Sequence, residues 1–174
     1  MLSALAPGGR SVHVVVDSPR ASRSKYKRDE RLGLFKLRHV LPEGLVFPYD
    51  FGYVPGTRGE DGDPIDVMLL DDEPAFVGCV VEARLIGVIE ARQREEGERR
   101  WKRNDRLLAV AIPSAVHAHL RELRQLPSAL LDELENFFVS YTRMEGKTFQ
   151  VRGRRGRSAA LQALARGRRA FERG

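Results

Sequence analysis

The sequence predicts an α+β fold: a mostly antiparallel sheet curled into a small barrel, with helices packed against it. Three observations lead there. Alternating or β-branched apolar runs occupy the chain up to about residue 112, glycine- and proline-containing turns separate them, and helical spacing of apolar residues begins only afterwards.

The runs follow in order. "SVHVVVD" (11–17) alternates and is rich in valine, so it reads as the first strand. "PRASRSKYKRDERLG" is polar and turn-like, and "LFKLRHVL" (34–41) is the second strand. "LVFPYDFGYVPG" is extended and aromatic, interrupted by Pro48, Gly52 and Pro55. "DVMLL" (66–70) is a short apolar strand, and "GCVVEARLIGVIEA" (78–91) is a long β-prone run that Gly87 should bend or bulge. "RLLAVAI" (106–112) closes the strand-rich part. "SAVHAHLREL" (114–123) and "PSALLDELENFFVSY" (127–141) then predict two helices, "KTFQVRG" a last short strand, and "SAALQALARGRRAFE" (158–172) a terminal amphipathic helix. At 174 residues the chain suits a single domain (1–174), with a basic helical tail from about residue 154.

Cys79 is the sole cysteine, so no disulfide can form within the chain, and a reducing cytoplasm is the expected compartment. It reads as a small buried strand residue. No apolar run is long enough to span a bilayer, and no membrane partner is expected. The net charge of +6 is unevenly spread: from Gln150 onward there are eight arginines and one acid, and "RRWKRNDR" (99–106) forms a second basic patch. Such charge favours anionic partners. Nucleic acid is not the expected one, because aromatic residues fall in core positions rather than in a stacking pattern. His13, His117 and His119 have no spacing that argues for a metal.

Against that basic background, "EDGDPIDV" (60–67) crowds Asp61, Asp63 and Asp66 into six positions. Adjacent carboxylates repel and tend to protonate unless something positive lies among them. A solvated turn is the plain alternative, since Asp-Gly and Asp-Pro are common turn pairs. The calcium loop of an EF-hand fails, because Asp66 stands where that loop needs glycine and Asp72 where it needs glutamate. Magnesium fits better: it takes carboxylate oxygens, keeps waters and bridges to phosphates. Gly62 would let the backbone approach the ion and Pro64 would stiffen the loop, with one aspartate held back as a proton acceptor. Lys25, Arg106 and the phenol of Tyr141 are candidates to neutralise a phosphate.

The stretches "VVVDSP…SKYK", "LGLFKLRHVLPEGLVFPYDFGYVPGT", "EDGDPIDVMLL", "RNDRLLAVAIP" and "ENFFVSYTRMEGK" together resemble the soluble family I inorganic pyrophosphatases, from about Val12 to Gly153. The resemblance implies a five-stranded OB-like barrel with flanking helices. It also implies hydrolysis of diphosphate to two phosphates with several magnesium ions, in a cytoplasmic and often hexameric protein. Carried over by residue, Asp61 and Asp66 would ligate magnesium and Asp63 would be the general base, also close to metal. Lys25, Arg106 and Tyr141 would bind phosphate, with arginine in place of the usual lysine at 106.

Other positions depart from the family pattern. Asp17 replaces a longer glutamate, Lys27 a glutamate, His39 a phosphate-binding arginine, Phe47 and Phe51 two tyrosines, and Thr142 a lysine. Where the family places two further metal-binding aspartates, the best alignment gives Arg94 and Asn104, with Glu95 and Asp105 one residue away. Two functions are therefore expected as alternatives. One is a magnesium-dependent diphosphatase. The other is a weakened homologue acting on another phosphoanhydride or binding polyanions without catalysis.

Overall fold

The computed structural model describes residues 2–174. Its strands are β1 (Val12–Ser18), β2 (Ser24–Asp29), β3 (Leu34–Val40), β4 (Asp50–Tyr53), β5 (Asp66–Leu70), β6 (Val80–Glu95), β7 (Lys102–Arg103), β8 (Arg106–Ala111) and β9 (Lys147–Gly156). Two helices, α1 (Ser128–Met144) and α2 (Arg157–Glu172), flank them.

β1, β4, β5, β8 and β6 pair in that order, and β1 pairs again with β6, which closes a ring of five strands. Every pairing in the ring is antiparallel except β5 with β8. This is the OB-like α+β architecture the sequence led us to expect. Closure is possible because β6, at sixteen residues, is long enough to serve several partners in turn. Its bend falls where expected: register against β8 slips between Leu85 and Gly87. A Cβ at Gly87 would lie 2.5 Å from Leu123 Cβ and 2.7 Å from the Arg155 carbonyl oxygen, so only glycine fits there.

Alternation along β5 assigns its two faces. Val67 and Leu69 join Val14, Val16, Leu107, Ala109 and the apolar side of α2. Met68 and Leu70 join Phe47, Phe51, Leu108, Val110 and the Leu134–Phe138 face of α1. Burial on both faces explains why "DVMLL" reads as a continuous apolar run.

Three sequence expectations need correction. The turn-like segment after β1 contains β2, which pairs with β3 as a separate two-stranded sheet. Residues 114–123 form turns rather than a helix, because Asp72 and Ser114 capture the local backbone. The Asp72 carboxylate accepts the N–H groups of Ala115 and Val116 and the Ser114 hydroxyl, while Ser114 Oγ accepts the His117 N–H. The apolar period at Leu120, Leu123 and Leu126 is real, but it is read by turns and a single 3-10 turn at Leu123–Gln125. Cys79 lies half-buried before β6, outside any strand.

Candidate active site

The aspartate loop is fastened at both ends. The Thr57 hydroxyl donates to the Val54 carbonyl at 2.6 Å and accepts the Ile65 N–H at 3.0 Å, while Val54 N–H bonds to Ile65 O. Inside the loop, Gly59 N–H donates to Asp63 O at 2.7 Å and Asp63 N–H to Asp61 Oδ1 at 3.2 Å. Gly62 earns its place by conformation, with φ of 95°, and nothing lies within 4 Å of where its Cβ would be. The close approach is at Gly59, whose Cβ would sit 2.9 Å from Asp61 Oδ1.

Two of the three loop aspartates pair with cations of the protein. Lys27, on β2, places Nζ 2.7 Å from Asp63 Oδ1. Arg106, at the start of β8, donates from Nη1 to Asp66 and to the amide oxygen of Asn104. Its guanidinium is buried over the rings of Phe51, Phe138 and Phe149, at 5.9, 5.4 and 5.2 Å. Lys25 reaches Asp17 Oδ1 at 2.8 Å and lies 4.6 Å over the Phe51 ring. The two phenylalanines without the tyrosine hydroxyls, Phe47 and Phe51, are wholly buried among Phe137, Phe138 and Tyr141.

Among the described residues, Asp61 forms no ion pair. Its Oδ2 accepts amide N–H groups from Asn104 at 2.9 Å and Gln93 at 3.3 Å. Burial raises its pKa, and the neighbouring Asp66 carboxylate adds to that, partly offset by the Asp63 N–H and Arg106. Burial likewise raises Asp17, although Lys25 and the Ser18 hydroxyl oppose it. Asp66 acts on both acids, which ties Asp17, Asp61, Asp63 and Asp66 into one electrostatic group.

Tyr141 is buried at the edge of this group and donates to Glu145 Oε1 at 3.1 Å. Burial, followed by the charges of Glu145 and Asp66, drives its pKa far up. His39 Nε2 lies 3.7 Å from the same Glu145 oxygen. Asp105 has other partners, taking Arg103 at 2.6 Å and the Ala91 N–H at 3.2 Å.

Strand alternation overturns one expectation. Arg94 does not join the acids, because it stacks 4.7 Å from Trp101 with Arg92 at 4.4 Å. The neighbour that turns inward is Gln93, buried and bonded to Asp61, a residue the sequence did not single out. Only its place opposite Arg94 in the period-two pattern of β6 could have signalled it.

Residues 14–172 match the family model described as inorganic pyrophosphatase. The chain belongs to the inorganic pyrophosphatase family. It is 37% identical over 142 residues to an inorganic pyrophosphatase of Nostoc sp., covering 82% of this chain and 80% of that protein. With the inorganic pyrophosphatase of Thermus thermophilus it shares 34% identity, covering 88% and 86% of the two chains. The crystal structure of a Thermus thermophilus inorganic pyrophosphatase superposes with a TM-score of 0.88 at 30% identity, over 98% of this chain and 97% of that one.

For a pyrophosphatase chain, the metal-binding capacity of this site is modest. Among the described residues, no three His, Cys, Asp or Glu side chains converge as a metal site. Asp61 and Asp66 nonetheless interact directly as charges, and one or two carboxylates plus phosphate oxygens and water suffice for magnesium. The donor set therefore fits an ion that arrives with phosphate. It does not fit a preformed cage of several ions, because Lys27, Gln93 and Asn104 present N–H groups to Asp63 and Asp61.

Proposed function

We propose that this chain hydrolyses inorganic diphosphate to two orthophosphates with magnesium, with Asp63 as general base. The observation that supports this most directly is the aspartate loop itself, folded so that Asp63 meets Lys27, Asp66 meets Arg106 and Asp61 meets the Asn104 and Gln93 amides, within a family match over residues 14–172. Asp61 and Asp66 would hold magnesium, which when bound supplies Lewis acidity toward phosphate oxygens. Lys25, Lys27 and Arg106 are the fixed cations available to the substrate. Diphosphate draws Lys27 from its exposed pair with Asp63, and the freed carboxylate accepts a proton from the attacking water. As the water oxygen bonds to one phosphorus, the bridging P–O bond breaks and its electron pair leaves with the second phosphate. Arg106, fixed by its aromatic bed, balances the charge shifted in that step. Tyr141 is held protonated and can donate to a phosphate oxygen.

The test is phosphate release from diphosphate across a magnesium series. We expect metal-dependent release that falls about a hundredfold or more in Asp63→Asn, with the circular dichroism spectrum unchanged. No release at any magnesium concentration would refute the reading. The fixed cations among the acids favour a second reading, a homologue acting on another phosphoanhydride or binding polyanions without catalysis. Triphosphate and nucleotides in the same assay separate the two.

The cytoplasm and a homo-oligomer, up to a hexamer, complete the proposal. Leu32, Leu34, Leu37 and Val40 are exposed on the β2–β3 hairpin, apolar surface that suits association. Among the described residues, no helix is long and apolar enough to cross a membrane.

A further inference from the structure

The arginine excess of the C-terminal region is not used by the aspartate cluster. Three of its eight arginines, Arg166, Arg169 and Arg173, join Arg58 and Arg103 around a cavity of about 300 Å³ between the loop before β5 and helix α2. The acids bordering it are already engaged. Glu60 accepts the Arg103 N–H at 2.8 Å, Asp105 takes Arg103 at 2.6 Å with Arg166 at 3.6 Å, and Asp61 takes its two amides. Arg58, Arg169 and Arg173 form no ion pair among the described residues.

Arg166, Arg169 and Arg173 are spaced to share one face at the C-terminal end of α2. The helix dipole offsets part of their mutual repulsion. It does not explain why Arg58, from the loop, and Arg103, from β7, line the same cavity. Guanidinium forks match phosphate oxygens in pairs, and several of them around one cavity suit an anion with charge at several points. The volume lies at the small end of ligand pockets, too small for a folded macromolecule and adequate for a short phosphate chain.

We infer that this cleft is a binding site for a condensed phosphate, a triphosphate chain either free or carried on a nucleoside. The inference stands whether or not the chain hydrolyses diphosphate.

Calorimetric titration of the full-length Asp63→Asn protein tests it, with inorganic triphosphate, a nucleoside triphosphate and orthophosphate as probes. We expect a saturable site that binds triphosphate at least tenfold more tightly than orthophosphate and weakens as salt rises. Arg169→Gln with Arg173→Gln should weaken it at least tenfold. Both side chains are exposed, so the fold should be retained, and circular dichroism checks this. Tighter binding of the inorganic or of the nucleoside form identifies the source of the chain, and either supports the site. Three results would overturn it: no saturable binding, binding unchanged in the arginine variant but lost in Lys25→Gln with Lys27→Gln, or tighter binding of a single-stranded oligonucleotide than of triphosphate.

Discussion

Asp71 sits beside Asp50, and Asp50 already accepts the N–H groups of Arg20 at 2.6 Å and Ala75 at 2.7 Å. Burial, reinforced by that neighbouring carboxyl, pushes Asp71 up to about 7 from its ordinary 3.8. A raised folded-state value means the folded form keeps a proton that the unfolded chain has released. Stability is therefore greatest below pH 4 as far as this group is concerned, and is lost as pH rises toward about 7. Urea unfolding at pH 5 and pH 8 should show the decline, and Asp71→Asn should flatten it; an equal slope in both proteins would reject this account. Residues such as this were not legible in the sequence, because adjacency in a strand pair cannot be read without register. Asp61, Asp63 and Asp66 were legible from spacing alone. Lys25, Arg106 and Tyr141 are candidates only beside those aspartates, and Gln93 rather than Arg94 meets Asp61 because a shift of one residue turns a side chain to the opposite face.

Elements were more legible where one periodicity dominated. β5 and the cores of β1, β3 and β8 fall almost where alternation and β-branching placed them, and α1 and α2 follow their helical spacing. β2 gives no apolar alternation in the sequence, because its polar residues lie in an open two-stranded ribbon rather than in a core. The 114–123 segment departs from its helical period because side-chain capture of its backbone by Asp72 outweighs that period. Contact between elements also carries function. Arg58 N–H donates to Gly167 O at 2.9 Å, so α2 braces the loop that bears the aspartates. A Cβ at Gly167 would lie 2.2 Å from Ile65 Cδ1 and 3.3 Å from Thr57 Cβ, both at the base of that loop. Gly167→Ala gains up to about 1 kcal/mol in helix propensity while the overlap costs about 1–3 kcal/mol. Thermal stability should therefore fall only slightly, whereas diphosphate turnover should fall severalfold as the loop shifts. Unchanged turnover would show that α2 does not position Asp61 and Asp63.

At the scale of the whole molecule, the five-stranded ring and its two flanking helices bring acids and fixed cations together at the site. Four carboxylates, Asp17, Asp61, Asp63 and Asp66, face three fixed cations, Lys25, Lys27 and Arg106, leaving one net negative charge if all are ionised. A cluster of bare acids would be relieved by metal and would gain stability from it. Binding at a hundred times the dissociation constant contributes about 2.7 kcal/mol. In a chain of this size that corresponds to a rise of roughly 5–10 °C in melting temperature. Here the acids already have protein partners, so magnesium alone should bind weakly until phosphate oxygens complete its coordination. The expected outcome is a melting temperature that changes by less than about 3 °C between chelator and excess magnesium. Magnesium with a slowly hydrolysed diphosphate analogue should raise it clearly further, while chelator still abolishes phosphate release. A large rise with magnesium alone would mean that Lys27 and Arg106 swing away to leave a preformed metal site, and that the protein's own cations do not hold the acids together.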